Sequence, residues 1–202
     1  KIVDILTTKL YNPKTHHLIL YCDSDWNNLD DIDSYGHDIE ASWLLTEAVE
    51  ALGDERLIGK CRQISLDLAD AALKEGINPM GAMIYERHKD KYRRDASWWC
   101  QAETVVGCIN AWQLTGKQSY LDSARRTWEF IKTRMIDKEY GEWFRNVSED
   151  GTPRTGEPKA SMWNCPYHNS RMGFEIDKRL GSALPFGNGT EVMAWSNITG
   201  VR

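Results

Sequence analysis

Two histidines stand out for their surroundings. His37 lies in Tyr35-Gly36-His37-Asp38-Ile39-Glu40, three residues before a carboxylate, and on a helix that spacing puts both side chains on one face. Glu40 can then orient the imidazole and tune its basicity, while the positive end of a helix start disfavours imidazolium. A neutral, oriented imidazole is what proton transfer near neutral pH requires. The plainer reading is a helix cap, with Asp38 or Glu40 accepting first-turn amides and His37 incidental. His168 follows Cys165-Pro166-Tyr167, where Pro166 restricts the residue before it and stiffens the approach to a helix. Alone it reads as a surface histidine near a helix start. Two histidines at the starts of related helices can face opposite sides of one bound substrate.

Between them lies Trp98-Trp99-Cys100-Gln101-Ala102-Glu103. A tryptophan face can stack on a sugar ring, and Gln101 and Glu103 offer hydrogen bonds to hydroxyls. Successive helical residues point about 100° apart, so one of Trp98 and Trp99 is expected to face the cavity and the other to pack. Nine Trp, eight Tyr and four Phe are many aromatics for this length, and filling a helical core is the alternative use. Trp163, between Met162 and Asn164, is a further candidate platform. His16-His17, in a polar stretch after Asn12-Pro13, reads as a loop. A metal triad of His37, Glu40 and His168 is an allowed ligand set, but nothing in the spacing demands it. Glu40 and Glu103 as a paired-carboxylate glycosidase site would leave both histidines without a task. No phosphate-binding glycine loop, dinucleotide fingerprint or nucleophile elbow is present.

Helical periodicity marks about 38–52, 55–74, 98–114 and 118–136, with a shorter segment from His168 to Gly181 and room for another before Tyr11. Short hairpins or loops are expected at 80–89, at 140–153 around Asp150-Gly151, and at 18–26. Gly53 and Gly116 are 63 residues apart, as are Glu40 and Glu103, and Gly181 lies 65 beyond Gly116. That register predicts a helix–turn–helix–hairpin unit used twice and begun a third time, each glycine ending a helix in the left-handed conformation. Tandem antiparallel helix pairs close into an all-α toroid, the (α/α)6 barrel. Its inner helices would open at His37, Trp98 and His168, with their N-terminal ends on one face.

A complete barrel of six pairs needs about a dozen helices, so residues 1–181 read as one half of such a barrel. Residues 182–202, rich in Gly and Asn and without periodicity, read as an irregular tail, disordered or artefactual. The chain has 202 residues and a formal charge of −5, which disfavours nucleic acid and anionic membrane as partners. Five scattered cysteines without a C-x-x-C pair fit reduced, mostly buried thiols and, with no apolar run of spanning length, a cytoplasmic protein.

The string from Ser34 to Leu45 (SYGHDIEASWLL) resembles the cellobiose 2-epimerases of the N-acylglucosamine 2-epimerase superfamily. So do Trp98-Trp99-x-Gln101-Ala102-Glu103, Gly141-Glu142-Trp143-Phe144 and Trp163-x-Cys165-Pro166-Tyr167-His168-Asn169. The resemblance runs over roughly residues 1 to 181 and is collinear with the family's C-terminal half. It implies an (α/α)6 barrel, without metal or redox cofactor, that inverts C2 of the reducing-end glucose of β-1,4-linked disaccharides, taking cellobiose to glucosyl-mannose. It also implies that His37 and His168 are the acid/base pair, that Glu40 supports His37, and that Trp163 and one of Trp98 and Trp99 stack on sugar. The expected substrate-binding set is Trp98, Trp99, Glu103, Trp163 and Asn169. An arginine and further sugar contacts would come from a separate or missing N-terminal half. An N-acylglucosamine 2-epimerase, an aldose–ketose (mannose) isomerase and a non-catalytic carbohydrate-binding half-barrel remain alternatives.

Overall fold

A computed structural model describes residues 1–181. The proposed tail at 182–202 lies outside the described residues. Helix α1 (Ile2–Ile5) runs into a π-helical turn, Leu6–Leu10. There follow β1 (Ile32–Asp33), α2 (Tyr35–Leu52), α3 (Glu55–Gly76), β2 (Glu86–His88), β3 (Lys91–Arg93) and β4 (Ala96–Ser97). Helix α4 (Trp98–Thr115), α5 (Gln118–Phe130, then a π-turn over Ile131–Met135), β5 (Asn146–Val147) and α6 (Tyr167–Gly181) complete the described residues.

The helices divide by how much of their circumference is apolar. Every residue of α4 from Trp98 to Ala111 is buried, so this helix is surrounded on all sides. Helix α2 is buried at ten positions and packs along α4. Helix α3 buries Cys61, Ile64, Ser65, Leu68, Ala69 and Ala72, and α5 buries Tyr120, Leu121, Ala124 and Thr127, each a one-sided stripe. Thus α2 and α4 are inner helices, backed by α3 and α5, and α6 lies on the other flank of α4. Gly53 and Gly116 end α2 and α4 with φ of +69° and +69°, and their amides return to Val49 O and Trp112 O (3.2 and 2.7 Å). The third expected cap differs: Gly181 is the last residue of α6, not a residue beyond it.

Two small antiparallel sheets sit where the inner helices begin. In one, the order is β1-β2-β3, with Asp33 opposite Arg87; in the other, β4 pairs β5, with Ser97 opposite Asn146. Chain direction therefore delivers α2 and α4 from the sheets to a common end. The hairpin expected at 80–89 is displaced to β2–β3. Gly81 makes its own turn earlier, at φ +85°, and Lys89 takes the hairpin turn at φ +54° without a glycine. Asp150-Gly151 forms its turn as expected, with Ser148 N–H donating to Thr152 O at 2.9 Å. Between 18 and 26 there is no strand, only isolated bridges such as Cys22 with Asn28.

Inner helices can approach only where side chains are small. A Cβ on Gly107 would lie 2.6 Å from Ile39 Cγ1 and 2.9 Å from the Ile39 carbonyl oxygen. Gly107→Ala is therefore expected to force α2 and α4 apart and to cost about 1–3 kcal/mol, read as a lower midpoint in chemical denaturation. Cys61, Cys100 and Cys108 are buried free thiols, and burial pushes Cys108 up to about 12; Cys165 is exposed. No described helix is long and apolar enough to cross a membrane.

Candidate active site at the common end of the inner helices

His37 is the third residue of α2, Trp98 the first of α4 and His168 the second of α6. Together they line one cavity of about 540 Å³. Both tryptophans line it, so the expectation of only one is corrected. The Trp99 ring lies against both imidazoles, 4.8 Å from His37 and 5.7 Å from His168, while Trp98 meets the His168 ring at 6.4 Å, nearly edge-on. Helical divergence by 100° does not separate them because the cavity covers the end of α4 as well as its side. Gly36 allows Trp99 this position, since a Cβ there would come within 2.5 Å of the indole.

His168 is held by the most buried charge in the site. Its Nδ1 lies 2.7 Å from Glu103 Oε1, and Glu103 is only 1% exposed. A carboxylate can only accept, so Nδ1 carries a proton, and in the neutral ring Nε2 presents its lone pair. Glu103 also accepts from Trp43 Nε1 at 2.9 Å and from the Arg171 guanidinium at 2.7 Å. Arg171, one turn beyond His168, bridges Glu103 to Glu40 and covers the faces of Trp43 and Tyr167 (5.0 and 4.7 Å). Burial alone would weaken its hold on the proton, but the Glu103 and Glu40 carboxylates outweigh that and push its pKa up. Helices α2, α4 and α6 are thus tied together beside the cavity.

Several expected roles change. Glu40 does not hold His37; it turns to Arg171, whose full charge outcompetes an imidazole, and His37 Nδ1 instead meets Ser34 Oγ at 2.7 Å. Glu103 is not placed to touch a substrate, because it is buried with three donors on it. Gln101 is fully buried, its Nε2 donating to Met83 O and Ser97 O and its Oε1 accepting from Met83 N, so it braces a loop. Asn169 turns to Glu142 at 2.6 Å and does not line the cavity. Trp163 lines it from an exposed loop, 77% accessible. The triad of His37, Glu40 and His168 does not assemble. The groups that converge are Glu40, Glu103 and His168, and a guanidinium already lies on both carboxylates.

Sequence reasoning missed Arg171, Tyr85, Arg93, Arg145 and Asn146. Arg171 was findable, being three residues after His168 on a helix, hence on the same face. The other four line the cavity from the strands and loops around β2–β3 and β5, where no periodicity reports direction.

A model of the family described as N-acylglucosamine 2-epimerase (GlcNAc 2-epimerase) matches residues 1–169. The chain belongs to the N-acylglucosamine 2-epimerase family. Within it, the chain is 42% identical over 177 residues to a cellobiose 2-epimerase of Bacteroides fragilis, covering 87% of this chain and 45% of that protein. A cellobiose 2-epimerase of Dictyoglomus turgidum is 37% identical, with 89% and 46% covered. Among solved structures, a sugar epimerase from a ruminal bacterium superposes with a TM-score of 0.84 at 38% identity, over 88% of this chain and 46% of that one. The cellobiose 2-epimerase of Bacillus thermoamylovorans gives 0.83 at 35%, over 88% and 45%. The chain spans about half the length of the curated relatives it matches. Its helix pairs are those of the family's (α/α)6 barrel, as the 63-residue register predicted. A D-mannose isomerase, at 19% identity and a TM-score of 0.70, shares the fold.

Proposed function

We propose that residues 1–181 are the C-terminal half of a sugar 2-epimerase that inverts C2 of the reducing-end glucose of β-1,4-linked disaccharides, with cellobiose as substrate. The observation that carries this reading is the pair of imidazoles against one tryptophan face, one of them fixed by Glu103 with a bare Nε2. In the open-chain sugar, C2–H lies beside the C1 carbonyl. His168 Nε2 removes that proton, the C–H electron pair moves into an enediolate, and the other histidine returns a proton to the opposite face. The second transfer restores the aldehyde with C2 inverted, and no electrons leave the pair of reactants.

Charge builds on the former carbonyl oxygen during this step and needs a donor. Arg93 is engaged by Glu86, and Arg171 by Glu40 and Glu103, whereas Arg145 lines the cavity with no carboxylate partner among the described residues. We assign it as the oxyanion donor this half contributes. The similarity to cellobiose 2-epimerases, greater than that to mannose isomerases (26% over 114 residues for one of Marinomonas mediterranea), supports C2 inversion over aldose–ketose conversion.

The test is NMR of the chain with cellobiose in D2O, alone and mixed with a separately expressed amino-terminal half of a matched cellobiose 2-epimerase. Deuterium at C2 together with a mannose-ended disaccharide is expected. A ketose product would replace this reading with the isomerase. Binding of cellobiose without exchange in both preparations would replace it with a carbohydrate-binding module.

A further inference from the structure

His17 lies in a loop, as its sequence suggests, but its side chain is buried, 3% exposed. Its Nδ1 lies 2.7 Å from Asp38 Oδ2, and Asp38, itself buried, also accepts from Leu18 N–H at 2.8 Å through Oδ1. Because the carboxylate only accepts, Nδ1 carries a proton toward Asp38, which leaves Nε2 as the ring atom a metal could bind. That nitrogen is buried and has no hydrogen-bond partner. It faces two carboxylates, Glu75 Oε2 at 3.4 Å and Asp33 Oδ2 at 3.9 Å. Beside it, with ring centroids 6.0 Å apart, Tyr35 is also fully buried, and its hydroxyl has no partner either.

We propose that His17, Asp33 and Glu75 form a binding site for one divalent transition-metal cation. The three ligand atoms lie within 4.8 Å of one another. Ligands bonded to a tetrahedral zinc ion stand roughly 3.4 Å apart, the distance His17 Nε2 already keeps from Glu75, and the other spacings, all within 4.8 Å, would close around the ion. One imidazole with two carboxylates suits Zn²⁺ or Mn²⁺ and not the all-oxygen preference of Ca²⁺. Asp38 supplies the carboxylate behind the imidazole that fixes ring and tautomer in metal sites generally. Arg87 pairs with Asp33, so the ion would share this carboxylate with a guanidinium. Glu75, 39% exposed at its side chain and bordering a second cavity of about 400 Å³, is the ligand on the solvent side. The site is separate from the Glu40–Glu103–His168 group, but Asp33 and Asp38 flank the start of α2, so an ion here would brace the turn that carries His37.

The test is isothermal titration of chelator-treated chain with Zn²⁺, and visible spectroscopy with Co²⁺ in its place. Saturable 1:1 binding is expected, weakened at least tenfold by Glu75→Gln and unchanged by His88→Gln, which alters a histidine in another ion pair. His17→Gln should abolish binding, but its burial endangers folding. Glu75→Gln, at the surface, therefore decides. Long-range ¹H–¹⁵N spectra should show His17 protonated at Nδ1 alone when zinc is bound. Absence of binding, equal binding by Glu75→Gln, or a His17 ring that keeps both protons in excess zinc would each overturn the proposal.

Discussion

His168→Ala is expected to lower epimerisation by about 10³-fold or more, while cellobiose binding changes less than about threefold. The size follows from the role: a positioned general base contributes about 10²–10⁴-fold, and here the nitrogen would act directly on carbon. Binding should persist because Trp98, Trp99 and Trp163 still line the cavity and would offer their faces to a sugar, with His168 half-buried beside them. Two bases serving two faces of C2 make a sharper expectation. With His168 removed, His37 can still exchange the C2 proton of the epimer whose hydrogen faces it, so deuterium should enter one of the two disaccharides without inversion. His37→Ala should show the mirror result with the other. NMR in D2O on cellobiose and on its mannose-ended epimer measures all four combinations, with calorimetry for binding. If both variants exchange both epimers at reduced but equal rates, one base serves both faces and the two-histidine assignment fails. If His168→Ala retains inversion, His168 is not a catalytic residue.

Local signals carried far in this chain. The helix ends at Gly53 and Gly116 were legible because a left-handed cap is a property of a few consecutive residues. The repeat register then required the starts at His37, Trp98 and His168 to share a face, and they line one cavity. What stayed hidden is chemistry settled by partners distant in sequence. Spacing allows Glu40 to reach His37, yet Arg171, 131 residues away, takes it because a charge-assisted bond exceeds one to a neutral ring. Glu103 offers the same carboxylate in sequence as Glu40, and only the three-dimensional contacts show it buried beneath His168 instead of exposed to a ligand. His17 looked like part of a polar loop because the residue that buries it, Asp38, is on a helix 21 residues later.

Glu103→Gln is expected to be the most damaging near-isosteric change in the protein. All three neighbours of Glu103 are donors: Trp43 Nε1 on Oε2, with Arg171 and His168 Nδ1 on Oε1. A glutamine must point its NH2 at one side or the other, so a donor faces a donor whichever way the amide turns. With the amide oxygen toward Arg171 and His168, the Trp43 indole N–H is left buried and unpaired. Turned the other way, the amide N–H drives His168 to the tautomer with its proton on Nε2, which removes the lone pair the mechanism uses. In both orientations Arg171 loses one of its two carboxylates. Breaking a buried pair in this way costs about 3 kcal/mol or more, and activity should fall at least 10²-fold, since loss of the carboxylate behind a catalytic histidine has effects of that order and larger. Chemical denaturation and the D2O exchange rate measure the two losses separately. Adding Trp43→Phe removes the opposing donor and lets the amide oxygen face Arg171 and His168, so the double variant should recover more of the stability than of the rate, which still lacks the carboxylate's charge. That split separates positioning of His168 from packing alone. Wild-type stability and rate in Glu103→Gln would mean that Glu103 is protonated in the native protein and that His168 is not oriented by it.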